Sequence, residues 1–243
     1  MSRITGRRVR LAAAAVAALS IALVGCSAQP ASTDADGGSL VYLDAEIPTS
    51  AQVQESGTWQ TRALQQNITD RLLYRNPDTN QLEPWIAESW TVSPDGLTYT
   101  FVIRDGVTYS DGTDLDASSV AKNLEWQSAG DEAVGTTPNA QFPSGLAATA
   151  DDASRTVTVT LPEPYAPFLN VLTGWGSGLV ADATIDASKE DQSKFVNLIG
   201  SGPFVVTSET YGKEIVLERR DGYAWAPESS PNQGEAHLAQ VTV

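Results

Sequence analysis

The sequence predicts a mixed α/β fold of the α+β kind. Three observations predict it. Leu97, Tyr99, Phe101 and Ile103 alternate with Thr98, Thr100 and Val102, and Val157, Val159 and Leu161 alternate with Thr156, Thr158 and Thr160, the period of two that marks a strand. Leu64, Ile68 and Leu72 recur at helical spacing, i, i+4 and i+8. Strands and helices are interspersed, yet never in a clean βαβ repeat.

Taken in order, the elements read as follows. Leu40, Val41, Tyr42 and Leu43 form a short apolar run, read as a buried strand. Residues 44–57 are polar, with Pro48 and Gly57, and read as a loop. A helix is expected over 58–74, ended by Asn76-Pro77-Asp78. Pro84 suits the first turn of a short helix reaching Glu88, because the N–H that proline lacks is unpaired there anyway. Residues 90–104 read as a hairpin turning at Pro94-Asp95-Gly96. Asp116 is placed to cap a helix whose buried face carries Ala117, Val120, Ala121 and Leu124. Residues 130–150 carry no clear element. A strand over 155–161, a short helix over 168–172, strands at 204–206 and 215–218 joined at Tyr211-Gly212, and a strand over 238–243 complete the reading.

The first residues read as an address. Arg3, Arg7, Arg8 and Arg10 form a basic head, and residues 11–25 are uncharged and rich in Ala, Leu and Val. That run is shorter than the roughly 20 residues a spanning helix needs. It has the form of a secretory signal peptide. Its exit, Leu23-Val24-Gly25-Cys26, resembles the lipobox of bacterial lipoproteins, which makes Cys26 the lipid attachment site. The plainer alternative is an ordinary signal peptide beside a chance cysteine. Residues 26–39 are then a flexible, lipid-anchored tether.

Composition excludes several function classes. One Cys and one His among 243 residues leave no intramolecular disulfide, no CxxC pair and no multi-histidine zinc site. A formal net charge of −15 argues against nucleic acid as a partner. Removing residues 1–25 takes away four Arg and no acid, so the exported chain carries −19. No catalytic constellation is legible. His237 lies in a polar stretch without a G-x-S-x-G elbow. Gly174-Trp175-Gly176-Ser177-Gly178 lacks the Lys-Ser/Thr ending of a phosphate loop and reads as a turn. Asp182, Asp186, Glu190 and Asp191 lack calcium-loop spacing and read as a solvated face. No metal ligand set and no cofactor are expected.

Three stretches together narrow the reading. They are Glu83-Pro84-Trp85-Ile86-Ala87-Glu88-Ser89-Trp90; Ser93-Pro94-Asp95-Gly96-Leu97-Thr98-Tyr99-Thr100-Phe101; and Ile103-Arg104-Asp105-Gly106-Val107 with Ser110-Asp111-Gly112-Thr113. This run resembles family 5 extracellular solute-binding proteins, the oligopeptide-, dipeptide- and nickel-binding lipoproteins of ABC importers. Gly200-Ser201-Gly202-Pro203-Phe204 resembles the family's Gly-Thr-Gly-Pro-Tyr turn, and Leu217-Glu218-Arg219-Arg220-Asp221-Gly222-Tyr223 its following strand. In physical terms, Trp85, Trp90, Tyr99 and Phe101 read as core residues and the Asp-Gly pairs as turn formers.

The resemblance implies the first lobe of a two-lobe periplasmic-binding-protein type II-like fold. Residues 40–58 and 196–243 are expected as the main subdomain of that lobe and 59–195 as an inserted subdomain, with the second lobe absent from this chain. It implies a non-enzymatic receptor, a monomer, that captures peptides or a related small solute and passes them to ABC permease subunits. The segment containing Asp44, Ala45 and Glu46 matches the place where peptide binders touch ligand backbone. Its two acids either attract a cationic group or are solvated. Trp59 either floors a pocket or caps the core. The alternative from another class is a secreted lipoprotein with an adhesive or hydrolytic role.

Overall fold

A computed structural model describes residues 37–55 and 57–243. The expected signal peptide, Cys26 and most of the tether lie outside the described residues. Among the described residues no helix is long and apolar enough to cross a membrane.

The strands in chain order are β1 (Gly38–Val41), β2 (Leu73–Arg75), β3 (Leu82–Pro84), β4 (Ala87–Val92), β5 (Thr98–Ile103), β6 (Ala147–Asp151), β7 (Thr156–Thr160), β8 (Phe204–Thr210), β9 (Glu214–Arg219) and β10 (Leu238–Thr242). Two longer helices accompany them, α1 (Trp59–Ile68) and α2 (Ala117–Ala129). One sheet has the order β1-β10-β9-β8, with β1 parallel to β10 and the other pairs antiparallel. A second, wholly antiparallel sheet has the order β4-β5-β7-β6. β2 and β3 form a separate antiparallel pair. The result is the mixed α/β architecture that the patterning predicts.

Each sheet owns a core. On the β4–β7 sheet, Tyr99, Phe101, Ile103, Val157 and Val159 face inward and pack with Val120 and Leu124 of α2 and with Phe168. On the β1–β10 sheet, Phe204, Val206, Ile215 and Leu217 pack with Leu64 and Ile68 of α1. α2 serves both, because Trp126 reaches the second cluster. Each fully buried large apolar side chain contributes about 1.5–3 kcal/mol. The turn of the β4–β5 hairpin closes as expected: Gly96 has φ 71°, and the Asp95 carboxylate accepts the Leu97 N–H at 3.1 Å. α2 starts as expected too, with the Asp116 carboxylate accepting the Ser119 N–H at 2.8 Å.

Four local expectations are corrected. β1 begins at Gly38, inside the stretch read as tether. It is an edge strand with one neighbour, so its apolar run is exposed: Val41 is 68% and Leu43 89% accessible. α1 ends at Ile68, six residues early, because Thr69 turns extended while its hydroxyl and N–H both donate to the Gln65 carbonyl. Leu72 is buried all the same, but from extended chain and in the other core cluster. No helix follows Pro84, which instead pairs with Leu73 at the end of β3. Strand β6 occupies part of the stretch without a clear element.

The Gly200-Ser201-Gly202 turn has a steric reason. The Gly202 N–H donates to the Ile68 carbonyl at 2.8 Å, and a Cβ on Gly200 would stand 2.1 Å from that oxygen. Only glycine lets this backbone close over the end of α1.

Candidate functional site

The loop after β1 carries three of the expected ligand-binding residues. Asp44 is half-buried and accepts the N–H of Ala45 at 2.7 Å, while Ala45 and Glu46 are exposed. A shallow pocket of about 180 Å³ lies between this loop and the Tyr211-Gly212-Lys213 turn that joins β8 to β9. The loop then runs to the start of α1, where the Thr49 N–H donates to Thr61 Oγ1 at 3.2 Å. Thr58 caps the helix by accepting the Thr61 N–H at 3.3 Å, which fixes the direction in which Trp59 leaves the first turn.

Trp59 belongs to neither core cluster and is 60% accessible. Its ring meets that of Trp175 edge-to-face, with centroids 5.0 Å apart and planes at 85°. The Arg62 guanidinium, one turn further along α1, lies over the Trp175 ring at 5.3 Å. Beside this stack opens a cleft of about 370 Å³, walled by Gln54, Arg62, Asn139, Gln141 and Trp175. Among the described residues no carboxylate lines it, in a chain with 30 acids.

The Trp175 turn is held from three directions. Arg71 Nε donates to the Gly174 carbonyl at 2.9 Å, Asn139 Nδ2 to that of Gly176 at 2.9 Å, and Gln127 Nε2 to that of Gly178 at 3.2 Å. These donors are all buried. An aromatic side chain is thus presented on a turn whose backbone is fixed by the interior.

Behind the turn lies a buried polar cluster. Asp70 is fully buried; it accepts from Tyr223 Oη at 3.1 Å and from Trp225 Nε1 at 2.8 Å. Burial pushes its carboxyl above the usual range, opposed by those hydrogen bonds and by the neighbouring Arg71 charge. Burial likewise lowers the Arg71 guanidinium to about 10, and Asp70 opposes that shift.

Asp44, Ala45 and Glu46 are therefore brought together on one loop, and Trp59 stands apart from them on the helix that follows. Gln54, Arg62, Asn139 and Trp175 were not legible as site residues. The one available signal was a Trp inside the glycine-rich run at 174–178, where a core role is hard to build. His237 is exposed; its carbonyl accepts the Gly37 N–H at 2.8 Å.

The profile of the bacterial extracellular solute-binding proteins, family 5 Middle, matches residues 81–243. The chain belongs to this family. Among curated relatives, the probable D,D-dipeptide-binding periplasmic protein DdpA of Escherichia coli K12 is 32% identical over 157 residues, covering 63% of this chain and 29% of the relative. The glutathione-binding protein GsiB of Escherichia coli O1:K1 / APEC is 31% identical over 147 residues, covering 60% and 28%. The chain thus spans under a third of the length of these relatives. Among solved structures, a substrate-binding protein of Microbacterium hydrocarbonoxydans in complex with 4-hydroxybenzoate hydrazide superposes with a TM-score of 0.68 at 27% identity, covering 85% of this chain and 42% of that one. The periplasmic binding protein DppA of Helicobacter pylori, in complex with the peptide STSA, superposes with a TM-score of 0.66 at 25% identity and the same coverage. The family 5 assignment and the periplasmic-binding-protein fold agree with each other.

Proposed function

We propose that this chain is the first lobe of the extracytoplasmic substrate-binding component of an ABC importer, which captures peptides or a related small solute and delivers them to membrane permease subunits. The observation that carries the reading is the Trp59–Trp175 stack beside a cleft walled by carboxamides and the Arg62 guanidinium, in a chain of family 5. A concave, partly apolar site with a few fixed polar groups suits capture of a small organic ligand. The named relatives are binding proteins, which speaks for capture over adhesion or hydrolysis. On this reading the protein performs no chemistry on its ligand and works as a monomer.

The proposed organisation runs from a signal peptide over 1–25, through a Cys26-linked tether, to a main subdomain and an inserted one. α1 is best counted with the main subdomain, because Leu64 and Ile68 pack against β8 and β9. A second lobe closes over the ligand by hinge motion. Asp44, Ala45, Glu46 and Trp59 face the ligand in this reading, and the lipid on Cys26 keeps the receptor at the outer side of the cell membrane.

Calorimetry of the full-length protein against a panel of di- to pentapeptides tests the reading. Saturable peptide binding supports it, and heat signals no larger than dilution for every peptide would sink it. The anchor has its own test: globomycin-type inhibition of the lipoprotein signal peptidase should make the precursor accumulate, and unchanged processing would reject Cys26 as the attachment site.

A further inference from the structure

Two side chains from distant parts of the sequence line the cleft beside Trp175, Arg62 from α1 and Gln141 from the loop before β6. Arg62 is half-buried, and its guanidinium lies over the Trp175 ring at 5.3 Å. That ring stands on the turn fixed from within by Arg71, Asn139 and Gln127, so the indole holds the cation at the wall. A guanidinium presents a fork of N–H donors, and one neighbour does not exhaust it. Gln141 is anchored through its backbone. Its N–H donates to Asn139 Oδ1 at 3.1 Å, and its carbonyl accepts from Tyr165 Oη at 3.4 Å. Its carboxamide is exposed and makes no hydrogen bond among the described residues. Gly174 keeps the wall low beside it, where a Cβ would stand 3.7 Å from Gln141 Oε1. The other two carboxamides are not available. Asn139 commits its side-chain N–H groups to Gln127 and to the Gly176 carbonyl. The polar atoms of Gln54 are closed to solvent, so it shapes the wall and meets no ligand.

We propose that this cleft is a carboxylate subsite, in which Arg62 pairs with a carboxylate of the ligand and Gln141 Nε2 donates to the same group. Among the described residues no carboxylate in the wall repels an incoming anion. The whole chain carries a net charge of −15, so anions are turned away from most of its surface, and the guanidinium fixes where one is accepted. An ammonium or a metal cation meets a like charge here and finds no described carboxylate, thiolate or imidazole. A neutral amide can bond to both side chains but gains nothing from the charge. A carboxylate accepts from both donors and gains the charge as well. A free C-terminus and an acidic side chain each supply that group. The inference rests on the peptide-capture reading and adds to it the charged group that is read and the residues that read it.

The experiment uses the full-length protein and two pairs of probes. Ala-Phe-Ala and its C-terminal amide differ at the terminus, and the C-terminal amides of Ala-Glu-Ala and Ala-Gln-Ala differ at the side chain. Calorimetry gives the affinity of each for wild type, Arg62→Gln and Gln141→Leu, at a temperature where thermal unfolding shows all three folded. In one pair, wild type should favour the acid over its neutral counterpart by roughly ten- to a hundredfold more than Arg62→Gln does. Comparing the two proteins cancels any carboxylate preference that belongs to the rest of the receptor. Gln141→Leu, a change at an exposed side chain, should lower the same ratio by about threefold. The pair in which the ratio falls identifies the carboxylate as terminus or side chain. Peptide binding with equal ratios in wild type and Arg62→Gln, for both pairs, overturns the subsite alone. A ratio unchanged in Gln141→Leu rejects the part given to Gln141. Failure of wild type to bind any of the four peptides overturns both the subsite and the peptide reading.

Discussion

Arg71 reaches across 103 residues of sequence to donate its Nε hydrogen to the carbonyl of Gly174 at 2.9 Å. This bond ties the chain just beyond α1 to the turn that presents Trp175. One of the three bonds that hold the turn beneath the aromatic stack therefore comes from a buried cation.

Replacing that cation should be costly. Arg71→Ala removes one of the three donors to the Trp175 turn and takes from Asp70 a positive charge that opposes its protonation. A loss of about 3 kcal/mol in urea unfolding is expected, from stranding a buried charge. Near-UV dichroism from the Trp59–Trp175 pair should weaken at the same time. An unchanged spectrum would show that the turn holds itself.

Asp70 makes stability depend on pH in a defined direction. Its folded value is raised above the ordinary 3.8, so the folded state binds the proton more tightly than the unfolded chain. Its share of stability is fully present below 3.8 and is lost as pH rises through the raised folded value. Asp70→Asn removes this dependence. Unfolding free energies measured from pH 3.5 to 7 should show the variant gaining on wild type as pH rises, and a constant difference would contradict it.

The close approach at the end of α1 gives a sharp steric test. Gly200→Ala forces a Cβ to 2.1 Å from the Ile68 carbonyl oxygen, where backbone must move. About 3 kcal/mol of destabilisation is expected in chemical denaturation. Gly222→Ala, with nothing within 4 Å of the added Cβ but a φ of 76°, should cost less, about 1 kcal/mol.

The cap of α2 is simpler. Asp116→Ala deletes the acceptor for the Ser119 N–H. About 1 kcal/mol should be lost in thermal or urea unfolding, with Asp116→Ser recovering most of it.

Trp175 should separate binding from folding. It is half-buried, on a turn held by backbone bonds that need no indole. In the full-length protein, Trp175→Ala should weaken peptide binding by about tenfold while the melting temperature moves by only a few degrees. Equal losses in both would make the ring a structural element.

The elements legible in the sequence were those whose side chains obey one local rule. β5 and β7 bury alternate residues, and Asp116 caps with its own carboxylate. α1 was read too long because Asp70 and Arg71 look like the polar face of a continuing helix. Their partners, Tyr223, Trp225 and Gly174, lie more than a hundred residues away, so burial of this charged pair has no local trace. β1 was read as buried because an apolar run usually is; an edge position depends on which strands fail to arrive. The loop residues Asp44, Ala45 and Glu46 were named through a resemblance. Gln54 and Asn139 were passed over because carboxamides in polar stretches carry no sign of the cleft they will share.

The parallel pairing of β1 with β10 sets Gly38 opposite Leu238. In the β4–β7 sheet two pairs are hairpins of consecutive strands, and the β5–β7 pair closes only over the segment that holds α2. The other sheet cannot close until β10 has been made, since β1 and β10 lie so far apart in sequence. The order of assembly is therefore nested, with the β4–β7 sheet forming first and β1 waiting for β10. A chain wired in this way leaves the β1 edge unpaired until everything between the two strands has been made.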